Sequence, residues 1–228
     1  MMAKIKWLGH AAFQITTAQG QHIYIDPWLE GNPSCPVAKE DLEPADLVLV
    51  THDHHDHLGD AAALLEEGGA VAAGQPELIG QLEEAGVPTE KLVGMNIGGS
   101  LEAAGVVVTM TQAFHSAAQG TPVGYILTLP EGTVIYHAGD TGIFGDMELL
   151  GELYDIDVAL LPIGSVFTMD PHQAAMAVEL LSPQLVIPMH YGTFPALVQD
   201  ADEFTQLVGE RTPEVKVIAL EPGAKWEF

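Results

Sequence analysis

Thr51-His52-Asp53-His54-His55-Asp56-His57-Leu58-Gly59-Asp60 is the stretch on which the reading of this chain turns. It follows directly on DLVLVT (46–51), a continuous apolar run of the kind that forms a strand buried on both faces. In an extended segment residues i and i+2 point the same way, so His52 and His54 can offer two imidazoles to one ion. The chain then turns into a helix, and the adjacent pair Asp56 and His57 faces a second position close by. Imidazole and carboxylate together are the donor mix of zinc and similar divalent ions. A solvated polar turn has no packing use for four imidazoles in six residues.

Working outward, three more donors stand just beyond the ends of predicted strands. His115 follows Val106–Thr111, Asp140 follows Thr133–His137, and His190 follows Leu185–Met189. Ligands at the ends of neighbouring strands can converge on one edge of a sandwich. Asp140, without an imidazole of its own beside it, is suited to bridge two cations, which makes seven ligands for two ions. Further strands are predicted at Lys4–Leu8, Phe13–Thr17, His22–Asp26, Ala70–Ala73, Val123–Leu129, Val158–Pro162 and Val215–Leu220. Helices are predicted at Asp60–Glu67, Pro76–Ala85, Asp146–Tyr154, Gln173–Leu181 and Ala201–Gly209. Asp170-Pro171 supplies a cap and a first-turn proline to the fourth of these. Pro27–Pro44, with four prolines, reads as a long loop of the kind that lines binding sites. Strands interleaved with helices imply two sheets with helices outside, in one domain over residues 1–228. Periodicity alone leaves α/β and α+β both open.

The ordered donors resemble those of the metallo-β-lactamase-fold hydrolases. Their H-x-H-x-D-H signature is matched by His52, His54, Asp56 and His57, and their later His, Asp and His by His115, Asp140 and His190. WLGHAAF (7–13), IDPWLEGNP (25–33), HAGDT (137–141) and VIPMHYGTFP (186–195) look most like a metal-dependent hydrolase branch related to ascorbate-phosphate lactonases. The resemblance implies an α/β fold, an αβ/βα four-layer sandwich with the metal site at one edge. It assigns His52, His54 and His115 to one ion, Asp56, His57 and His190 to the other, and Asp140 to both. Two divalent ions are implied, Zn2+ first, with Mn2+ or Fe as alternatives. The expected function is hydrolysis of a small ester, lactone, amide or phosphodiester by a metal-bridging hydroxide. Asp56 would orient that hydroxide or take its proton.

Other residues carry weaker signals. His10, at the end of the first strand, is a candidate catalytic contact to substrate or ligand. His172, at a helix start, is a candidate general acid. His137 is expected either to hydrogen-bond a ligand or to be a buried strand histidine. Tyr191 is expected to reach the oxyanion or to pack beside the site. Trp28, Asn32 and the loop around Cys35 are expected to wall the pocket, whereas Cys35 has no base nearby in sequence to make it a nucleophile.

Composition narrows the partners. The chain has 228 residues, 47% hydrophobic, with mean hydropathy +0.20 and formal net charge −25. The 32 acids are an ordinary complement, so the imbalance comes from having only 7 bases. These are Lys4, Lys6, Lys39, Lys91, Arg211, Lys216 and Lys225, scattered singly, which leaves no basic stripe for a nucleic-acid backbone. An RNA 3′-processing-type phosphodiesterase is therefore disfavoured, and a small-molecule substrate is expected. A non-catalytic metal-binding protein is the alternative from another class. A flavodiiron oxidoreductase would need a flavin domain for which the length leaves no room. No apolar run reaches the roughly 18 residues of a membrane span. The start of the chain shows no secretory-signal pattern, so a cytoplasmic protein is expected. The single cysteine excludes an internal disulfide. Homo-oligomerisation stays open.

Overall fold

A computed structural model describes residues 2–66 and 68–228. Its strands are β1 (Lys4–Gly9), β2 (Ala12–Thr16), β3 (His22–Ile25), β4 (Leu47–Leu49), β5 (Val71–Gly74), β6 (Leu92–Gly94) and β7 (Ser100–Ala103), followed by β8 (Val106–Gln112), β9 (Val123–Thr128), β10 (Val134–His137), β11 (Val158–Pro162), β12 (Leu185–Met189), β13 (Lys216–Val217) and β14 (Lys225–Glu227). The α-helices are α1 (His55–Leu58), α2 (Ala61–Glu66), α3 (Pro76–Glu84), α4 (Met147–Leu153), α5 (Pro171–Leu181) and α6 (Asp202–Arg211).

Two seven-stranded sheets result, in the orders β14-β1-β2-β3-β4-β5-β6 and β13-β12-β11-β10-β9-β8-β7. Each is antiparallel over its first four strands in this matching and parallel beyond: β14 to β3 then β6, and β7 to β10 then β13. The two sheets therefore share one internal plan, in which β1 corresponds to β8 and β3 to β10.

Alternation along the strands builds the layers. Ile5, Phe13, Ile25, Leu47 and Leu49 meet Val108, Tyr125, Leu127 and Leu160 in the core between the sheets. Val48 and Val50 turn the other way, onto Leu65 of α2 and Leu78 and Leu82 of α3. On the second sheet Tyr136, Ala159 and Leu161 pack under Ala174 and Val178 of α5 and Phe204 and Val208 of α6. This is the α/β sandwich with helices on both outer faces, the architecture of the metallo-β-lactamase fold.

The predicted interior strands are present within a residue or two. Three strands were not foreseen: β6, β7 and β14 are short sheet-edge strands with one face in water, so they lack the apolar run that marks an interior strand. The strand expected over Val215–Leu220 pairs only at Lys216–Val217. The helix expected over Asp60–Glu67 spans Ala61–Glu66, and Glu67, like Met1, lies outside the described residues.

Candidate metal centre

Six chain segments end at one edge of the sandwich, and each delivers a polar side chain there. His10 follows β1, Asp26 follows β3, His115 follows β8, Asp140 follows β10 and His190 follows β12. The segment after β4 contributes His52 and His54, then turns into α1, whose first turn carries Asp56 and His57. Donor atoms of His52, His54 and His115 lie within 4.8 Å of one another, and so do those of His10, Asp56, His57 and His190. Asp140 joins the two groups. Its Oδ2 lies 3.4 Å from His57 Nε2, 3.1 Å from His190 Nε2 and 3.5 Å from His115 Nε2.

The cluster carries the marks of a cation site. Asp140 Oδ1, His57 Nε2 and His10 Nε2 are buried polar atoms with no hydrogen-bond partner, and leaving such atoms unpaired costs about 1–3 kcal/mol each. His52 Nε2 and His54 Nδ1 face each other at 3.0 Å. The donors are imidazoles and carboxylates, the set that zinc, manganese or iron takes. His10, Asp26 and His190 also hold left-handed backbone, with φ of 56°, 49° and 60°. Strain of this kind, about 1–3 kcal/mol per residue, gathers at functional sites.

One carboxylate sets the orientation of two imidazoles. Asp26 is fully buried and accepts from Thr51 N at 2.7 Å, Thr51 Oγ1 at 2.8 Å and His57 Nδ1 at 2.7 Å. The Thr51 hydroxyl thus spends its only proton on Asp26, so His52 Nδ1, 2.9 Å away, donates to Thr51 Oγ1. Both His52 and His57 thus turn Nε2 into the cluster as the ring atom free to take a cation, the arrangement by which a buried carboxylate orients metal-binding histidines.

The sequence matches known proteins over nearly its full length. Residues 4–190 match the beta-lactamase superfamily domain. The chain belongs to the beta-lactamase superfamily. It is 52% identical over 224 residues to the UPF0173 metal-dependent hydrolase of Pyrobaculum islandicum, covering 96% of this chain and 97% of that protein. The namesake protein of Nitratidesulfovibrio vulgaris strain DP4 is 49% identical over 226 residues, 98% of this chain and 94% of the relative. Among solved structures, Igni18, a metallo hydrolase from Ignicoccus hospitalis, superposes with a TM-score of 0.91 at 40% identity, over 100% of this chain and 99% of that one.

The electrostatics of this superfamily site follow from burial and charge together. Burial alone would lower the pKa of His57, but Asp140 and Asp26 on either side outweigh it and hold it well above the ordinary value. Burial would raise Asp140 and Asp56. His190 and His57 hold Asp140 well below the carboxylate range, and His10 and His57 do the same for Asp56. Burial pushes His52 down to about 3 and His10 down to about 4. His10 and His52, neutral, and Asp56 and Asp140, ionised, already hold the protonation states that bind metal, whereas His57 gives up its extra proton when a cation takes its place.

The remaining predicted residues are placed as follows. His172 is 72% exposed at the start of α5, 3.5 Å from Glu203, and joins neither cluster, so the general-acid role expected of it has no geometric basis. His137 is the buried strand histidine: its Nε2 donates to Ala11 O at 3.1 Å and its Nδ1 accepts from Gly139 N at 3.1 Å. It thereby fixes the turns that present His10 and Asp140 without hydrogen-bonding a side chain of either cluster. A Cβ on Gly139, at φ +63°, would run into Val123 O, so only glycine makes this turn. Tyr191 packs on Trp7, with ring centroids 5.2 Å apart. Asn32 is spent on the loop itself, bonding Trp28 O and Ser34 N, whereas Trp28 stacks on Phe194 near His10. Sequence reasoning missed Asp26, whose one visible signal is an acid at a predicted strand end.

Proposed function

We propose that residues 1–228 work as one domain that hydrolyses a small ester, lactone, amide or phosphodiester with two divalent ions, Zn2+ first among the candidates. In this reading His52, His54 and His115 hold one ion, Asp56, His57 and His190 the other, and Asp140 bridges. The observation that carries it is the single oxygen Asp140 Oδ2, within 3.5 Å of imidazoles belonging to both clusters. When bound, the ion pair supplies a water acidic enough to ionise near neutrality and a Lewis acid for the developing oxyanion.

The chain's own side chains do the rest. Asp56, kept ionised, orients the attacking water and accepts its proton. Trp28 and Phe194 wall the side next to His10. Next to His115 lies an open cavity of about 700 Å³ lined by Gln112, Ala113, Phe114, His115 and Thr121. No lysine or arginine lines that cavity among the described residues, and Phe114 at its rim is 62% exposed. These features favour a substrate with an apolar, uncharged portion.

The test is metal analysis after loading with zinc or manganese, with a screen of nitrophenyl esters, lactones and bis(4-nitrophenyl) phosphate. Two ions per chain and metal-dependent turnover are expected. Asp140→Ala is expected to cut kcat/KM by more than about 100-fold, beyond what loss of an outer-sphere partner costs. Folded protein that takes up no ion, or Asp140→Ala with full turnover, would overturn the reading.

A further inference from the structure

Resting on the two-ion reading, we propose that His10 Nε2 is a direct ligand of the second ion, beside Asp56, His57 and His190. Nε2 is buried, has no hydrogen-bond partner, and points at Asp56 Oδ2 from 3.2 Å. The ring lies over His190 at a centroid distance of 3.9 Å.

A hydroxyl on the far side of the ring lets that nitrogen give up its proton. His10 Nδ1 lies 3.0 Å from Thr193 Oγ1. The Thr193 hydroxyl has one proton, and it is directed to the carbonyl of Tyr191 at 3.3 Å. In the tautomer that binds a cation, His10 Nδ1 donates to Thr193 and Nε2 presents a lone pair toward Asp56; without an ion, Nε2–H donates to Asp56 instead. Two lone pairs facing each other in a buried site repel unless a cation sits between them. His52 and His57 are wired in the same way through Thr51 and Asp26.

The fold supplies an independent argument. His10 stands just beyond β1, and His115 stands just beyond β8, the strand at the corresponding place in the other sheet. A backbone bond from His190 N to His10 O, 2.9 Å long, locks the two left-handed residues together across the edge. With His10 included, the second group of donors has four side chains and the first three, with Asp140 between them.

The rival role for His10 is that of a positioning residue, an N–H donor that merely orients Asp56. His10→Gln separates the two, because its amide can still donate to Asp56 but is a poor metal ligand. Metal-free wild type, His10→Gln and His54→Gln are titrated with Zn2+ against a chromogenic chelator, and with Co2+ followed by its visible absorption. His10→Gln is expected to bind one ion as wild type does and the other about 10–100-fold more weakly, with an altered Co2+ spectrum for that equivalent. His54→Gln is expected to weaken the opposite ion. Wild-type affinity for both ions in His10→Gln overturns the assignment. If wild type itself takes up only one ion, the two-ion reading fails, and His10 is then judged by whether His10→Gln weakens that one. Should His10→Gln not fold, Thr193→Val decides: weaker binding of one ion supports the assignment, and unchanged binding of both overturns it.

Discussion

Asp26 touches no substrate in the reading above, yet two of the imidazoles depend on it. Asn in its place keeps the shape but turns an N–H2 group toward Thr51 or His57, both of which are donors. Asp26→Asn is expected to weaken metal binding about 10–100-fold and to destabilise the metal-free protein by on the order of 1–3 kcal/mol. Chelator competition and thermal melts measure the two effects, and unchanged affinity would remove Asp26 from the site. The contrast with the histidines shows what a sequence can convey at this scale. His52, His54, Asp56 and His57 were legible because such a density of metal-binding side chains has no packing purpose. Asp26 was not, because Asp before Pro27 is also ordinary turn chemistry, and its partners Thr51 and His57 are remote in sequence. His172 misled for the opposite reason: a helix-start histidine looks the same whether it faces a pocket or, as here, water.

At the scale of elements, legibility tracked burial. β4 and β11 are buried on both faces and read as unbroken apolar runs, whereas β6, β7 and β14 are edge strands without that pattern. Loops are harder still, because one side chain can order them from far away. Asp53, inside the histidine run, accepts from Ala118 N at 2.9 Å, Gln119 N at 2.7 Å and Gln81 Nε2 at 3.2 Å. It thus ties the loop that follows His115 to the segment bearing His52 and His54. Asp53→Ala is expected to cost about 1–3 kcal/mol of stability and to speed hydrogen exchange at Ala118 and Gln119. Protection at those amides equal to that of wild type would show that the loop is held by something else.

For the whole molecule, the net charge of −25 and the histidine-rich edge pull in opposite directions as pH falls. Protonation relieves the general repulsion, which favours the compact state. His10, His52, His115 and His137 have folded pKa values lowered by burial, so below about 6.5 the unfolded chain binds more protons and stability drops with pH. His57 is raised, so its contribution is fully present below that value and adds no opposing slope there. In about 1 M salt, with a screening length near 3 Å, the repulsion is removed and the histidines decide. The metal-free protein is then expected to lose thermal stability between pH 7 and pH 5, and a flat or rising melting temperature would contradict the burial argument. The backbone bond between His10 and His190 has a further consequence, for the order in which the protein is made. His10, His52, His54, Asp56 and His57 leave the ribosome early, whereas Asp140 and His190 come late. A growing chain that has not yet reached β12 can neither close this edge nor complete the second set of donors. In the two-ion reading, filling of the second set is thus a step for a chain that has passed β12, whereas the first set, His52, His54 and His115, is assembled earlier.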